Sequence, residues 1–343
     1  MKAVLLKKTS RGASAVVSKT GIPRTGRGEL LVEMKACGLC GTDLEKIRGE
    51  YTSAMPVIGH EAVGVVAKVG QGVTGLEVGD RVFPHHHVSC HECHFCKRGD
   101  ETVCSRYKTS NLDPGGFSEC IRVPQWNVSK GGVSKLSSRL PFDEGTMIEP
   151  VACCVRALGR CGVRKGDSAL VVGAGPIGMM HSMLLRSMRA TVFVSDVAEP
   201  RLRFAERASV GTVLDARRIS VSETVRRETG GLGADLAIVA SGSERAVIQA
   251  IDSVRKGGTV CLFGIPAEGS AIELDLGRVY GSTVKIFSSY GADEADVSRA
   301  IELLSSRRPD FRPLITHHFP LGRFDEAVRV MTSGEAMKVV ITP

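Results

Sequence analysis

The first third of the chain alternates short apolar runs with glycine-rich segments. The apolar runs cover residues 3–6, 30–34 and 62–69, and another run starts at residue 79 after a glycine-rich stretch. Short apolar runs bounded by turn residues are typical of strands. The pattern therefore predicts a compact, irregular antiparallel sheet or barrel.

Near residue 150 the pattern changes to apolar runs that alternate with helix-length amphipathic stretches. The predicted strands are residues 168–172, 191–195, 213–214, 236–240, 259–263 and 284–287. The predicted helices between them cover residues 177–189, 201–208, 220–229 and 244–255. This alternation predicts an α/β fold with a doubly wound parallel sheet.

A third pattern begins after residue 291. It predicts a helix over residues 296–306, a strand over 314–316, a helix over 324–331 and a last strand over 339–341. The pattern alone does not assign this tail to either of the two preceding parts. The expected organisation is a β-rich domain over residues 1–150, an α/β domain over 151–290 and a tail over 291–343.

Length and composition fit a globular protein of two domains. The chain has 343 residues, of which 43% are hydrophobic and 24% are charged, and about 150 residues is typical of one domain. The formal net charge of +8 could indicate a nucleic-acid or membrane partner, but lysine and arginine are scattered and only one tryptophan is present. No apolar run reaches the roughly 18 residues of a membrane span. We therefore expect neither partner.

Eleven cysteines are an odd number, and no signal peptide is visible. We therefore expect the protein to lie in the reducing cytoplasm. Its cysteines are then expected to be metal ligands or free thiols and not disulfides.

Four of the cysteines form the strongest motif of the chain. Cys90, Cys93, Cys96 and Cys104 are close enough in sequence for one loop to surround a tetrahedral zinc ion. Four thiolates leave no position for water, so the predicted zinc site is structural. An iron–sulfur cluster is the alternative. The adjacent run from His85 to His87 is interpreted as exposed, or as supporting the ligands from outside, and not as a third metal site.

A second motif follows the predicted strand over residues 168–172. Its members are Gly173, Ala174, Gly175, Pro176, Ile177 and Gly178. A glycine turn between a strand and a helix accepts a dinucleotide pyrophosphate at the helix N-terminus. Asp196 ends the next strand, where an acidic side chain accepts the ribose hydroxyls and repels the extra phosphate of NADP. The motif therefore predicts NAD as cofactor.

A third set of residues is dispersed along the chain. It comprises the pair Cys37 and Cys40, the pair His60 and Glu61, and Glu149. One thiolate, one imidazole and one carboxylate would form an open zinc site with a position for a substrate oxygen. Such a site suits the oxidation of an alcohol by NAD.

Taken together, the chain resembles the zinc-containing medium-chain alcohol dehydrogenases. The resemblance rests on Cys40-Gly41-Thr42-Asp43, on the stretch from Gly59 to Val66, on the four-cysteine segment and on the glycine motif. It implies a GroES-like catalytic domain around a Rossmann domain, with residues 291–343 returning to the first domain. It also implies two zinc ions per chain, one catalytic and one structural, and a homodimer or homotetramer.

The resemblance further implies roles for individual residues. Cys40 and His60 would be catalytic zinc ligands, Cys37 would not, and the third ligand would be Glu61 or Glu149. Asp43 would orient His60, and Thr42 would relay the proton of the alcohol. Many relatives carry a histidine three residues after this threonine, where this chain has Glu45.

For the cofactor, the resemblance implies that Arg201 lines the adenine side. The nicotinamide side would be lined by Phe263, Gly264 and Ser289.

The segment over residues 111–119 and the pair Glu149-Pro150 resemble polyol and sugar-alcohol dehydrogenases. The expected activity is therefore hydride transfer from a secondary alcohol, a polyol or sugar-like molecule, to NAD. An L-threonine 3-dehydrogenase and a simple alcohol dehydrogenase are the alternatives within the family. A zinc-bearing nucleic-acid-binding protein is the alternative from another class, and the missing basic stripe disfavours it.

Overall fold

The computed structural model describes residues 1–9, 12–49 and 58–343. They form two compact units. Unit 1 contains Met1–Ala152, Ala292–Arg307 and Leu314–Pro343, and unit 2 contains Cys153–Gly291 and Arg308–Pro313. Among the described helices, none is both long and apolar enough to cross a membrane.

The first part of unit 1 consists mainly of strands. They are β1 (Lys2–Thr9), β2 (Gly12–Lys19), β3 (Leu30–Leu39), β4 (Glu61–Val69), β5 (Arg81–Pro84), β6 (Cys120–Val123) and β7 (Val133–Lys135). The helices are α1 (Gly41–Arg48), α2 (Gln125–Ser129), α3 (Phe142–Gly145) and α4 (Ile148–Cys161). The boundary between the units falls within α4.

Unit 2 alternates strands and helices. Its strands are β8 (Ser168–Val172), β9 (Thr191–Asp196), β10 (Thr212–Asp215), β11 (Ala234–Val239), β12 (Val254–Leu262) and β13 (Lys285–Ser288). Its helices are α5 (Pro176–Ser187), α6 (Glu199–Arg207), α7 (Val221–Glu228), α8 (Glu244–Ser253) and α9 (Leu276–Ser282). The last part of the chain adds α10 (Glu294–Ser306), β14 (Ile315–Pro320), α11 (Phe324–Ser333) and β15 (Lys338–Thr342) to unit 1.

A seven-stranded mixed sheet forms the centre of unit 1. Its order is β14-β15-β3-β4-β5-β7, and β6 pairs with β3. Along the first half of β3, Leu30, Val32 and Met34 are buried while the residues between them are more exposed, as expected of a strand with one face in a core. The antiparallel pairing of β15 with β3 brings the C-terminal strand into this sheet.

A six-stranded parallel sheet forms the centre of unit 2, in the order β10-β9-β8-β11-β12-β13. The continuous apolar run of β8 is buried from Ala169 to Val172, as in parallel strands covered on both faces. Because the strands are parallel, the loops after β8, β9, β12 and β13 leave the same edge of the sheet. These loops carry the residues predicted to bind the cofactor.

The β-rich unit and the parallel α/β unit confirm the fold class expected from the sequence. Several elements were not expected, notably β2, α1 and α4. Helix α1 has only eight residues with few apolar side chains, and α4 contains Pro150 in its first turn, which hides its helical pattern. Helix α10 begins at Glu294 and not at residue 296, because the side chain of Asp293 accepts a hydrogen bond from the Asp296 N–H and caps the helix.

One buried histidine in unit 2 has no hydrogen-bond partner in the described part of the chain. His181 on α5 is fully buried and packs its ring edge-on against Phe263, and neither ring nitrogen bonds to a described residue. Burial lowers the pKa of His181 to about 3. The folded protein therefore favours the neutral form of the ring.

We expect His181→Leu to make the protein less sensitive to mild acid. Because the folded-state pKa lies below the unfolded value near 6.5, the stability that depends on the neutral ring is present above about pH 6.5 and is lost as the pH falls toward 3. From pH 7 to pH 5 this group contributes a loss of about 2 kcal/mol in the free energy of unfolding. Urea unfolding at both pH values should show a loss that is smaller by about this amount in the variant than in the wild type, because the other buried histidines remain in both proteins. The control His94→Leu, at an exposed position, should retain the wild-type loss; equal losses in all three proteins would contradict the prediction.

Candidate functional site

Three potential metal ligands converge where β3 ends and β4 begins. Cys40 follows β3 directly and precedes α1, while His60 and Glu61 stand at the start of β4. One ligand atom from each of Cys40, His60 and Glu61 lies within 4.8 Å of the other two. The structure thus brings together a thiol, an imidazole and a carboxylate that are about twenty residues apart in sequence.

A glycine turn allows two consecutive residues to join this group. Neighbouring side chains in a regular strand point to opposite faces, but His60 lies before the first residue of β4, and Gly59 has a φ of 78°. A Cβ atom on Gly59 would lie 2.6 Å from the backbone nitrogen of Phe117. Gly59 is therefore required both by its left-handed backbone and by this close approach.

Asp43 fixes the positions of the first two ligands. Its fully buried carboxylate accepts hydrogen bonds from the Cys40 N–H at 3.1 Å and the Gly59 N–H at 2.9 Å, and its Oδ1 lies 3.5 Å from His60 Nδ1. Burial alone would raise the pKa of Asp43, but His60 and the Gly59 hydrogen bond outweigh burial and lower it. An ionised Asp43 beside Nδ1 leaves His60 Nε2 available as a metal ligand. Thr42, beside Asp43 on α1, has its hydroxyl oxygen 3.8 Å from Cys40 Sγ.

Lys338 is the main site residue that the sequence interpretation missed. Its ammonium group forms an ion pair with Glu61 Oε2, and both side chains are almost completely buried. Gly38 on β3 makes room for the pair, because a Cβ atom there would overlap Glu61 Oε2 and approach Lys338 Cε to 2.8 Å. The only available sequence signal was a lysine at the start of a short apolar strand.

Electrostatics keep this buried lysine charged. Burial alone would lower the pKa of Lys338, but the negative charges of Glu61, Cys40 and Glu149 outweigh burial and raise it. Glu149 lies in the first turn of α4, is nearly buried and contributes to the charge environment of both Glu61 and Lys338. It is not a member of the three-ligand group.

The four cysteines of the predicted structural site also come together. Cys90 Sγ lies 3.8 Å from Cys96 Sγ and 3.6 Å from Cys104 Sγ, and Cys93 Sγ lies 3.5 Å from Cys96 Sγ. Sulfurs on a tetrahedral zinc ion with bonds of about 2.3 Å are about 3.8 Å apart. Hydrogen bonds from the backbone N–H groups of Glu92 and Cys93 are among the causes that lower the pKa of Cys90 to about 6, which favours a thiolate.

The glycine motif forms the turn between β8 and α5. Gly173 has a φ of 106°, Gly175 precedes the helix and Pro176 and Ile177 begin it. A Cβ atom on Gly178 would overlap the carbonyl oxygen of Gly173, so this glycine permits close packing of the turn on the helix. The first N–H groups of α5 lack partners within the helix and can donate hydrogen bonds to an anion.

Asp196, at the end of β9, is already strongly hydrogen-bonded. Its Oδ1 accepts from the N–H groups of Val197 and Ala198, and its Oδ2 accepts from the Ala174 N–H at 2.7 Å. Arg201 Nη1 lies 3.8 Å from Oδ2. Because a carboxylate oxygen accepts about two hydrogen bonds, Oδ2 is the atom that can still accept one from a ribose hydroxyl.

Three further predicted cofactor residues follow β12 and β13. The N–H groups of Phe263 and Gly264 both donate to the Val239 carbonyl, and a Cβ atom on Gly264 would clash with the backbone of Ser241. The N–H of Ser289 donates to the Leu262 carbonyl, and its buried hydroxyl has no hydrogen-bond partner among the described residues. These residues lie at the strand ends where parallel sheets bind nucleotides.

Family models match both parts of this architecture. The model for the alcohol dehydrogenase GroES-like domain matches residues 26–135, and the model for zinc-binding dehydrogenases matches residues 176–306. The chain is also 31% identical to a sorbitol dehydrogenase from Halalkalibacterium halodurans, with 100% of this chain and 99% of that protein covered.

The chain belongs to the zinc-containing medium-chain alcohol dehydrogenase family. The resemblance inferred from the motifs is thereby confirmed, and the protein is an oxidoreductase of this family.

Other proteins are also similar to this chain over its whole length. An L-threonine 3-dehydrogenase from Caldanaerobacter subterraneus subsp. tengcongensis is 31% identical, with 100% of this chain and 99% of that protein covered. Among solved structures, an alcohol dehydrogenase from Thermus sp. ATN1 has a TM-score of 0.88 at 26% identity, covering 100% and 99% of the two chains. A zinc-binding dehydrogenase from Sinorhizobium meliloti 1021, bound to NADP, has the same score, identity and coverage.

We expect Lys338→Met to destabilise the metal-free protein by about 3–5 kcal/mol, because it leaves the Glu61 carboxylate buried without its partner. Urea unfolding after metal removal by a chelator measures this loss. The double variant Glu61→Gln/Lys338→Met should recover most of it, because neither charge then remains. Strictly additive effects of the two substitutions would show that the ion pair does not couple them.

Proposed function

We propose that this chain is a zinc- and NAD-dependent dehydrogenase that oxidises a secondary alcohol, with a polyol or sugar-like molecule as substrate. The convergence of Cys40, His60 and Glu61 carries the proposal. Three protein ligands leave one tetrahedral position for a substrate oxygen, whereas the four cysteines leave none. Glu61 Oε1 is buried and has no hydrogen-bond partner among the described residues, which suits a ligand atom.

When bound at this group, zinc supplies Lewis-acid chemistry that lowers the pKa of the substrate hydroxyl. The chain's own residues then have to remove the proton. Thr42, with its hydroxyl beside Cys40, accepts that proton and passes one on. Glu45 lies three residues further along α1 and so on the same face of the helix. We assign it, together with water, as the next step of the relay.

We assign Glu61 as the third zinc ligand and Glu149 as a carboxylate that can replace it. The assignment of Glu61 rests on its place in the three-ligand group. The assignment of Glu149 rests on its burial and on its electrostatic influence on Glu61. The Lys338 ammonium group would hold Glu61 when Glu149 takes over the metal.

We propose NAD as the cofactor, bound by the glycine turn and Asp196 in unit 2. The free acceptor capacity of Asp196 Oδ2 suits a ribose hydroxyl, and its charge disfavours the 2′-phosphate of NADP. Arg201, beside Oδ2, would cover the adenine. Phe263, Gly264 and Ser289 would contact the nicotinamide.

L-threonine oxidation is the second candidate. It is favoured by the threonine dehydrogenase relative, whose 31% identity equals that of the sorbitol dehydrogenase. Both substrates are secondary alcohols with a polar neighbouring group, so the zinc chemistry is the same for both. The two candidates differ in the contacts that the substrate's other groups require.

We also propose that the enzyme is a homodimer or homotetramer in a reducing compartment such as the cytoplasm. Strand β13 lies at one edge of the parallel sheet, and the apolar side chains of Leu276 and Tyr280 on neighbouring α9 are 74% and 87% exposed. Exposed apolar side chains at a strand edge favour an interface. None of the eleven cysteines forms a disulfide, which suits a reducing compartment.

A substrate panel tests the proposed activity. NADH formation with sorbitol, xylitol, myo-inositol, L-threonine and simple alcohols should be fastest with one of the polyols. Cys40→Ser should lower kcat/KM by about a thousandfold or more, because it removes a ligand of the group that activates the alcohol. NAD binding, measured by fluorescence, should be unchanged in this variant. Preference for L-threonine over every polyol would establish the second candidate instead.

Asp196→Asn tests the cofactor assignment. Loss of the charge that accepts the ribose hydroxyl should raise the KM for NAD about 10- to 100-fold and should lower the preference for NAD over NADP. Asp215→Asn is the matched control, because Asp215 is the register partner of Asp196 on β10. An unchanged KM for NAD in Asp196→Asn would refute the assignment.

A further inference from the structure

A carboxylate with buried oxygens lies beside the four-cysteine segment and has no hydrogen-bond partner within residues 1–9, 12–49 and 58–343. Both side-chain oxygens of Glu294, the first residue of α10, are buried and accept no hydrogen bond from the described residues. His85 Nδ1 lies 3.7 Å from Oε1, and His91 Nε2 lies 3.4 Å from Oε2. A buried carboxylate is costly unless something compensates its charge.

Both nitrogen–oxygen distances are longer than those of a hydrogen-bonded ion pair. Charge-assisted hydrogen bonds between nitrogen and oxygen are about 2.7–2.9 Å long. Ligands on one tetrahedral zinc ion, with bonds of about 2.0–2.1 Å, are about 3.3–3.4 Å apart. The sulfurs of the four cysteines show a corresponding spacing, 3.5–3.8 Å, at the site already assigned to zinc.

His91 is held in a conformation that presents Nε2 to Glu294. Its φ of 61° lies in the left-handed region, which residues other than glycine adopt only at a cost in energy. Its Nδ1 lies 3.2 Å from Ser89 Oγ. A hydrogen bond from Nδ1–H to that hydroxyl would leave the lone pair of Nε2 for a metal, as is usual for histidine ligands.

His85 is equally well held, although the sequence favoured an exposed or merely supporting histidine run. The residue is 1% exposed, and neither ring nitrogen has a hydrogen-bond partner among the residues that the structure describes. Its backbone is fixed by Gly132, which accepts its N–H, and by Asn127, whose Nδ2 donates to its carbonyl. Just before α10, the Tyr107 hydroxyl donates to the carbonyl of Ala292 and accepts a hydrogen bond from its N–H.

We propose that His85 Nδ1, His91 Nε2 and the Glu294 carboxylate form a third metal site for a divalent transition metal such as zinc. Two imidazoles and a carboxylate favour such an ion over magnesium or calcium. Unlike the members of the other two groups, these three side chains do not all offer ligand atoms within 4.8 Å of one another. At least one of them therefore has to move toward the ion, and binding is weaker here. The ion would join the four-cysteine segment to the start of α10, and it would not take part in the proposed reaction.

Zinc counting on the full-length protein tests the site. Wild type, Glu294→Gln and His91→Gly are equilibrated with excess Zn²⁺, freed of unbound metal by gel filtration and analysed by mass spectrometry. The wild type should hold one zinc per chain more than either variant. The test is this difference, so it is independent of occupancy at the other two sites and of the proposed activity. Zn²⁺ should also raise the Tm of the wild type more than that of Glu294→Gln.

His94→Gln is the matched control, because His94 is an exposed histidine in the same four-cysteine segment. It should keep the wild-type zinc count. A second measurement adds Co²⁺ to protein whose cysteine ligands already hold zinc. Co²⁺ at the third site should then produce visible absorption bands but no thiolate-to-metal charge-transfer band. These visible bands should be absent in Glu294→Gln. Equal zinc counts in wild type and Glu294→Gln, or an equal loss in His94→Gln, would overturn the proposal. The comparison of wild type with Glu294→Gln tests the site even if His91→Gly disturbs the cysteines, because Glu294 lies outside the four-cysteine segment.

Discussion

The buried ion pair between Glu61 and Lys338 is the constraint on which the candidate catalytic site depends. Two charges removed from water are tolerable only when each compensates the other. The pair requires three strands in register, because Gly38 on β3 lies opposite Glu61 on β4 and opposite Val340 on β15. The absence of a side chain at Gly38 leaves the space that the pair occupies. Lys338, on the last strand, thereby determines where the Glu61 carboxylate can lie.

The candidate metal centres differ in how the chain builds them. The four cysteines come from residues 90–104, and short turns bring them together within one segment. The group at Cys40 needs two strand ends, held together by the Asp43 carboxylate, before its ligands meet. The proposed site at Glu294 needs a helix from the last part of the chain to reach the cysteine segment. The group at Cys40 therefore depends on the complete sheet, and the proposed site at Glu294 depends on the packing of residues 292–307 in unit 1.

Sequence reasoning is most direct where the residues of a motif are close together along the chain. The cysteine spacing and the glycine motif could be interpreted directly, because their geometry follows from short loops. It failed for Lys338, because a lysine beside a short apolar strand is most often at the surface. It also left Glu61 and Glu149 undecided as ligands. Whether His60 and Glu61 can act together depends on the turn at Gly59, whose φ of 78° a single sequence does not reveal.

The sequence by itself determined the fold class, the family, the four-cysteine cluster and the glycine turn before α5. Each follows from local spacing or from the period of apolar residues, and both are properties of the chain alone. Only the tertiary structure decided that Lys338 compensates Glu61, that Asp43 holds both Cys40 and the turn before His60, and that His85 is buried facing Glu294. These contacts join residues distant in sequence, so they arise from strand register and burial, which no short stretch of sequence specifies.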